Sequence, residues 1–357
     1  MSRPTPETLL AERLRNLRAY PVADASNLVK LDAMEVPYPW PEELVDVWAA
    51  RLRETPVNRY PDAGARGLKT ALRETLGLPV GAQLLLGNGS DELIQLLAMA
   101  VAGPGRSLLA PTPSFAMYPL VAAFTGLEFV GVPLREDFSL DTEAMLAAMA
   151  RHHPALTFIA YPNNPTGNLF DEAAVVALLE AAPGLVVLDE AYFAFAGRSF
   201  VHRLGDFPHL LVMRTLSKVG LAGLRVGFLL GDARWLGEFE KLRLPYNINS
   251  LSQLTAEFAL AHWPVFQAQI ARLNESRQSL GEALAALPDL TVYPSVANFF
   301  LVRTATGEGN RVHAALREAG ILVKNLGSDP DLRDCLRITV GLPAENQQLV
   351  DALRAIL

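Results

Sequence analysis

Seven short apolar runs, separated mostly by stretches of helical periodicity, constrain this chain more than any other feature. They fall at 84–86, 107–110, 128–133, 155–160, 185–188, 210–213 and 226–230. Runs that are apolar on both faces need cover on both faces. The alternation with helices supplies it, as a mainly parallel sheet of seven strands with right-handed crossovers, an α/β architecture. The stretch 90–101 shows the pattern well, with Leu93, Leu96, Leu97 and Ala100 spaced for one buried helix face. Composition breaks at Leu244-Pro245-Tyr246-Asn247, and a long helical stretch follows. Four further strand candidates at 290–293, 299–303, 321–323 and 336–340 predict a smaller α+β domain. A chain of 357 residues exceeds a single typical core, which agrees with two packed domains.

The loops at the strand ends carry the chemistry. Arg214-Thr215-Leu216-Ser217-Lys218 is followed closely by Gly223-Leu224-Arg225-Val226-Gly227-Phe228. A lysine amine can bond covalently to the aldehyde of pyridoxal phosphate, and the hydroxyls with Arg225 can hold the phosphate. Asp189 closes the run Leu185-Val186-Val187-Leu188, at the strand edge where ligands of open α/β sheets collect. A carboxylate there can keep a pyridine nitrogen protonated, and Tyr192 is placed to reach the ring oxygen. Asp189 taken alone reads equally as a helix cap. Tyr161-Pro162-Asn163-Asn164-Pro165-Thr166-Gly167-Asn168 is a tightly fixed loop after a strand, with Asn164 offering an amide. Any one asparagine there is also accounted for by an ordinary turn. Gly87-Asn88-Gly89-Ser90-Asp91-Glu92 runs into a helix whose free N–H groups suit a phosphate, although Ser90 or Asp91 as a plain cap is the commoner use.

Composition excludes several functions. The net charge is −7 and there is no lysine or arginine run, which argues against nucleic acid as a partner. No apolar run approaches a membrane span, and the charged, proline-bearing N-terminus does not read as a secretion signal. Cys335 is the only cysteine, so an internal disulfide is ruled out and a reducing, cytoplasmic compartment is expected. The histidines at 152, 153, 202, 209, 262 and 313 show no metal spacing, and no metal is expected.

In this order the motifs resemble those of fold-type I pyridoxal phosphate enzymes, and specifically the histidinol-phosphate aminotransferase family. The resemblance runs from Leu31-Asp32-Ala33-Met34-Glu35, through Asn58-Arg59-Tyr60-Pro61-Asp62 and Pro113-Ser114-Phe115-Ala116-Met117-Tyr118, to Cys335-Leu336-Arg337-Ile338-Thr339-Val340-Gly341. It implies an N-terminal arm over 1–40 that packs with the small domain, a large cofactor domain over 41–245 and a small domain over 246–357. It implies Lys218 as the lysine that carries the cofactor and moves the substrate proton. Asp189 would pair with the ring nitrogen, Asn164 and Tyr192 with the ring oxygen, and Phe115 with the ring face. Ser90, Asp91, Thr215, Ser217 and Arg225 would hold the cofactor phosphate. Tyr60 would reach the neighbouring subunit's phosphate, so a homodimer with shared active sites is implied. Substrate would meet Arg337, Lys324, Asn298 and Tyr20, for the last of which plain packing is the alternative. The implied reaction moves an amino group between L-histidinol phosphate and 2-oxoglutarate, giving imidazole acetol phosphate and glutamate.

Some positions depart from that pattern. Met34 and Val36 stand where the family usually has asparagines, Phe115 replaces a frequent tyrosine, and Lys324 replaces a common arginine. A lysine keeps the charge but loses the planar fork. These departures keep open an aromatic or broad-range amino acid aminotransferase, and the shared cofactor motifs keep open a threonine-phosphate decarboxylase. A ligand sensor built on the same fold ranks last.

Overall fold

The computed structural model describes residues 3–15, 17, 19 and 22–357. Its twelve strands are β1 (Val29–Leu31), β2 (Gln83–Asn88), β3 (Ser107–Thr112), β4 (Glu128–Pro133), β5 (Leu156–Ala160), β6 (Leu185–Asp189), β7 (Leu210–Thr215), β8 (Val226–Gly231), β9 (Leu290–Val292), β10 (Phe299–Thr304), β11 (Ile321–Asn325) and β12 (Cys335–Thr339). The large sheet has the order β2-β8-β7-β6-β5-β3-β4. All of its pairings are parallel except those of β8, which runs antiparallel to both β2 and β7. Every residue of β5, β6, β7 and β8 is buried, as expected of strands covered by helices on both faces.

The helix Ser90–Val101 follows β2 as its sequence pattern predicts, with Leu93, Leu96 and Leu97 buried. Its buried face is broader and rotated from the expected stripe. Ile94 and Ala98 are buried whereas Ala100 is exposed. The reason is packing on two sides, since this helix contacts β2 and β8 of the sheet and also the helix Met117–Thr125.

The second sheet has the order β1-β11-β12-β10-β9. Its strand β1 has no clear signal in the sequence, because three residues with an outward-facing Lys30 make neither a run nor an alternation. It is held instead by parallel pairing with β11, Val29 lying opposite Ile321. That pairing delivers the following segment, 32–38, toward the C-terminal ends of the large sheet. Further upstream, Arg13 Nε donates to the Phe124 carbonyl of the helix Met117–Thr125. No helix among the described residues is long and apolar enough to cross a membrane.

A buried ion pair joins the ends of the two central strands. Glu190, just past β6, is fully buried and receives Arg214 Nε and Nη2 at 3.0 and 2.8 Å from the end of β7. Its carboxylate also accepts the Ser199 hydroxyl at 2.9 Å and the Phe200 N–H at 2.6 Å. The Arg214 guanidinium lies 4.5 Å over the Phe193 ring. A charge stripped of water is tolerable only when paired and hydrogen-bonded in this way. Arg214→Met is therefore expected to cost about 3–5 kcal/mol in urea unfolding, with Glu190→Gln added to it restoring much of the loss. A single-variant loss below about 1 kcal/mol would show that the pair behaves like a surface one.

Candidate active site

The C-terminal ends of β5, β6 and β7 lie side by side, with Ala160 opposite Asp189 and Asp189 opposite Met213. A cleft opens there. It brings together ten residues that the motifs single out: Ser90, Asp91, Phe115, Asn164, Asp189, Tyr192, Thr215, Ser217, Lys218 and Arg225. Residues more than a hundred positions apart meet because each sits where a strand gives way to its loop.

One end of the cleft is built for an anion. Gly89 adopts φ +82°, and a side chain on it would meet the Arg225 guanidinium at 2.5 Å. Gly227 has no side chain to spare either, since a Cβ would stand 2.6 Å from the backbone of Gly89 and Ser90. These two glycines let β8 and the start of the 90–101 helix approach closely. The N-terminus of that helix carries no side-chain cap, so its N–H groups remain available at the positive end of the helix dipole. Arg225 closes the cradle from its own left-handed position at φ +53° and donates to Asp91 Oδ2 at 3.2 Å. Thr215 Oγ1 lies 2.9 Å from Ser217 Oγ and accepts the Ser217 N–H at 3.1 Å.

The other end holds the ionisable groups. Asp189 is buried, and its carboxylate accepts Tyr118 Oη at 2.8 Å and the Ala191 N–H at 3.1 Å. Burial pushes its pKa up to about 6, against the pull of those two hydrogen bonds. Lys218 Nζ donates to the Ala33 carbonyl at 2.9 Å. Desolvation, and then the charge of Arg337, lower its pKa to about 8. Arg337 is buried and donates to Asn164 Oδ1 at 2.6 Å and to the Asp32 carbonyl at 2.9 Å. The Asn164 loop is rigidly held. Asn163 Nδ2 donates to Pro113 O and Thr166 Oγ1, and Asn168 Nδ2 donates to Phe138 O. The bonds preceding Pro162 and Pro165 are cis. Tyr192 packs edge-on against Phe299, and Phe115 packs edge-on against Tyr118.

These residues fit pyridoxal phosphate. A buried carboxylate whose contacts are a phenol and one backbone N–H still has room for a cationic ring nitrogen. An uncapped helix start with Arg225 suits the phosphate, and a lysine of lowered pKa suits the aldehyde. Lys324, Asn298 and Tyr60 do not themselves line this cleft. Lys324 stands directly opposite Arg337 in the β11–β12 register. Asn298 is buried and donates from Nδ2 to the Met34 carbonyl at 2.9 Å. Tyr60 is 80% exposed and stacks on Tyr246 at 4.3 Å, away from this cleft. Tyr20 lies outside the described residues. Among the described residues no group of histidine, cysteine and carboxylate side chains forms a metal site.

Sequence reasoning passes over Tyr118 and the Ala33 carbonyl. The first could have been suspected from its place three residues after Phe115. The second could not, since a main-chain oxygen carries no signature.

Residues 26–353 match the family described as aminotransferase class I and II. The chain belongs to that family. It is 54% identical over 343 residues to histidinol-phosphate aminotransferase 2 of Nitrosococcus oceani, covering 96% of this chain and 95% of that one. It is 50% identical to the histidinol-phosphate aminotransferase of Chromobacterium violaceum, with 98% of both chains covered. Among solved structures, histidinol-phosphate aminotransferase of Sinorhizobium meliloti in complex with pyridoxal-5'-phosphate superposes with a TM-score of 0.88 at 26% identity, over 98% of this chain and 97% of that one.

The perturbed groups are a burden on stability. The folded chain gives up the Lys218 proton near pH 8, whereas the unfolded chain keeps it to about 10.5. Stability therefore rises with pH across that window, and at pH 7 the full penalty, about 3 kcal/mol, is present. Asp189 has the opposite slope. Its folded form holds a proton to about pH 6 that the unfolded form loses near 3.8, so stability falls as pH rises through that interval. Lys218→Met and Asp189→Asn should each raise the melting temperature of cofactor-free protein at pH 7. An unchanged or lower midpoint in both would refute the assigned shifts.

Proposed function

We propose that this chain transfers the amino group of L-histidinol phosphate to 2-oxoglutarate, forming imidazole acetol phosphate and glutamate in L-histidine biosynthesis. What carries the reading is the pairing of two anion sites with one lysine of lowered pKa between them. The first site is the Gly89–Ser90 cradle with Arg225, which takes the cofactor phosphate. The second is Arg337 with Lys324 opposite it on the neighbouring strand, which takes the donor phosphate or the carboxylate of glutamate. The relatives near 50% identity bear the name of this activity.

Pyridoxal phosphate supplies an electron-accepting ring that stabilises negative charge at the donor Cα. Asp189, held by Tyr118 and the Ala191 N–H, keeps the ring nitrogen protonated. Asn164 and Tyr192 hold the ring oxygen, and Phe115 covers the ring face. Lys218, its pKa lowered to about 8, would hold the cofactor aldehyde and, once released, would serve as the base for the donor's Cα proton. Arg337 orients the donor so that this hydrogen faces Lys218.

The working unit we propose is a homodimer, built from a large cofactor domain over 41–245, a small domain over 246–357 and an arm over 1–40. Supporting it, Tyr60 and its stacking partner Tyr246 are exposed together with Leu244 and Leu251, an apolar surface that a second copy would cover. Tyr60 then reaches the partner's cofactor phosphate. We assign the protein to the cytoplasm, where its lone, buried Cys335 stays reduced. A purely monomeric species in sedimentation equilibrium would remove the shared-site part.

The deciding experiment is an absorbance titration of holoprotein with L-histidinol phosphate and no keto acid. The cofactor band should convert to the amine form at lower concentrations than histidine or phenylalanine require, and 2-oxoglutarate should restore it. Conversion only by another amine would keep the aminotransferase and discard this donor, and carbon dioxide release without a keto acid would make it a decarboxylase. Lys218→Ala should bind cofactor noncovalently and show no turnover.

A further inference from the structure

The segment 32–34 is bonded at three consecutive carbonyls to three different parts of the site. Asp32 O accepts Arg337 Nη2, Ala33 O accepts Lys218 Nζ, and Met34 O accepts Asn298 Nδ2, each at 2.9 Å. Thr339 Oγ1 accepts the Met34 N–H at 3.0 Å. Met34 sits between these bonds at φ +53°, a backbone conformation that a residue with a long side chain adopts only when its surroundings force it. Glycine or asparagine would take the same conformation with less strain. Met34 is nearly buried, packs with the apolar core and is one of the residues lining the cleft together with Phe115, Tyr192 and Lys218.

We infer that Met34 is a specificity-determining residue, whose thioether forms the apolar wall on which the flat ring of the amino donor packs. The inference rests on the functional reading above. The two residues before Met34 are bonded to Arg337, which takes a donor's anionic group, and to Lys218, which stands at its amine, and Met34 follows them along the same cleft. What remains of such a donor is its side-chain ring, and Met34 is the unbranched, polarisable side chain at that place. Thioethers pack well against aromatic edges and adapt to their shape. Asparagine here would offer an amide in its place, leaving a ring face against polar atoms. Glutamate has no ring, so Met34 favours the ring-bearing donor over the amino acid that forms in the other half-reaction.

The test compares Met34→Asn, which the backbone accommodates, with Met34→Leu, which keeps an apolar side chain. The probe is 3-(imidazol-4-yl)propyl phosphate, the donor without its amine, whose dissociation constant from holoprotein is measured by fluorescence titration. Met34→Asn should weaken it about tenfold, the scale of one lost apolar contact in a pocket, while Met34→Leu stays within about threefold. In steady-state kinetics Met34→Asn should raise KM for histidinol phosphate about tenfold more than KM for glutamate. An unchanged dissociation constant in Met34→Asn, or equal KM increases for both donors, would overturn the assignment. A wild-type protein that ignores histidinol phosphate would instead overturn the functional reading. The role of Met34 would then be decided by the same two variants on phenylalanine against glutamate.

Discussion

The active site depends on a contact that takes no part in its chemistry. Glu190 and Arg214, both buried, tie the loop after β6 to the end of β7. Asp189 is the residue before Glu190, and Thr215, Ser217 and Lys218 follow Arg214 within four positions. The ion pair therefore sets the distance between the buried carboxylate of Asp189 and the amine of Lys218, the two groups to which we assign the ring nitrogen and the substrate proton. Its strength comes from completeness, since each carboxylate oxygen has a partner and the guanidinium also covers an aromatic ring.

Around this fixed pair the site holds charges that folding alone would not favour. Asp189 is raised toward neutrality and Lys218 toward its free amine, in both cases mainly by loss of water. Both shifts suit the reaction. A lysine of lowered pKa is a base near neutral pH, and a buried carboxylate responds strongly to a cationic ring. The strained backbone at Met34 belongs to the same pattern, in which function is held in place by the stability of the surrounding sheets.

Much of this was legible in the residues. The seven runs of the large sheet appear as strands within one or two residues of their expected bounds, because strands of a sheet covered by helices leave a largely apolar run between polar turns. The helix 90–101 was readable from its spacing, although Ala100 turned outward once the helix was packed on two sides. The ten cleft residues were recognisable by type, since aldehyde, phosphate and ring nitrogen each demand particular side chains. Tyr118, the Glu190–Arg214 pair and β1 were not, because their meaning lies in a partner distant in sequence.

By itself the sequence determined the fold class, the order of the strands along the chain and the chemical identity of the groups that would hold a phosphate and a pyridine ring. These follow from hydrophobic periodicity and from side-chain chemistry, which are local. Only the tertiary structure decided that β8 runs against its neighbours, that Ala33 holds the Lys218 amine, and that Met34 is bent into the cleft at φ +53°. Those depend on which atoms the folded chain brings together, and a main-chain carbonyl is the same in every amino acid.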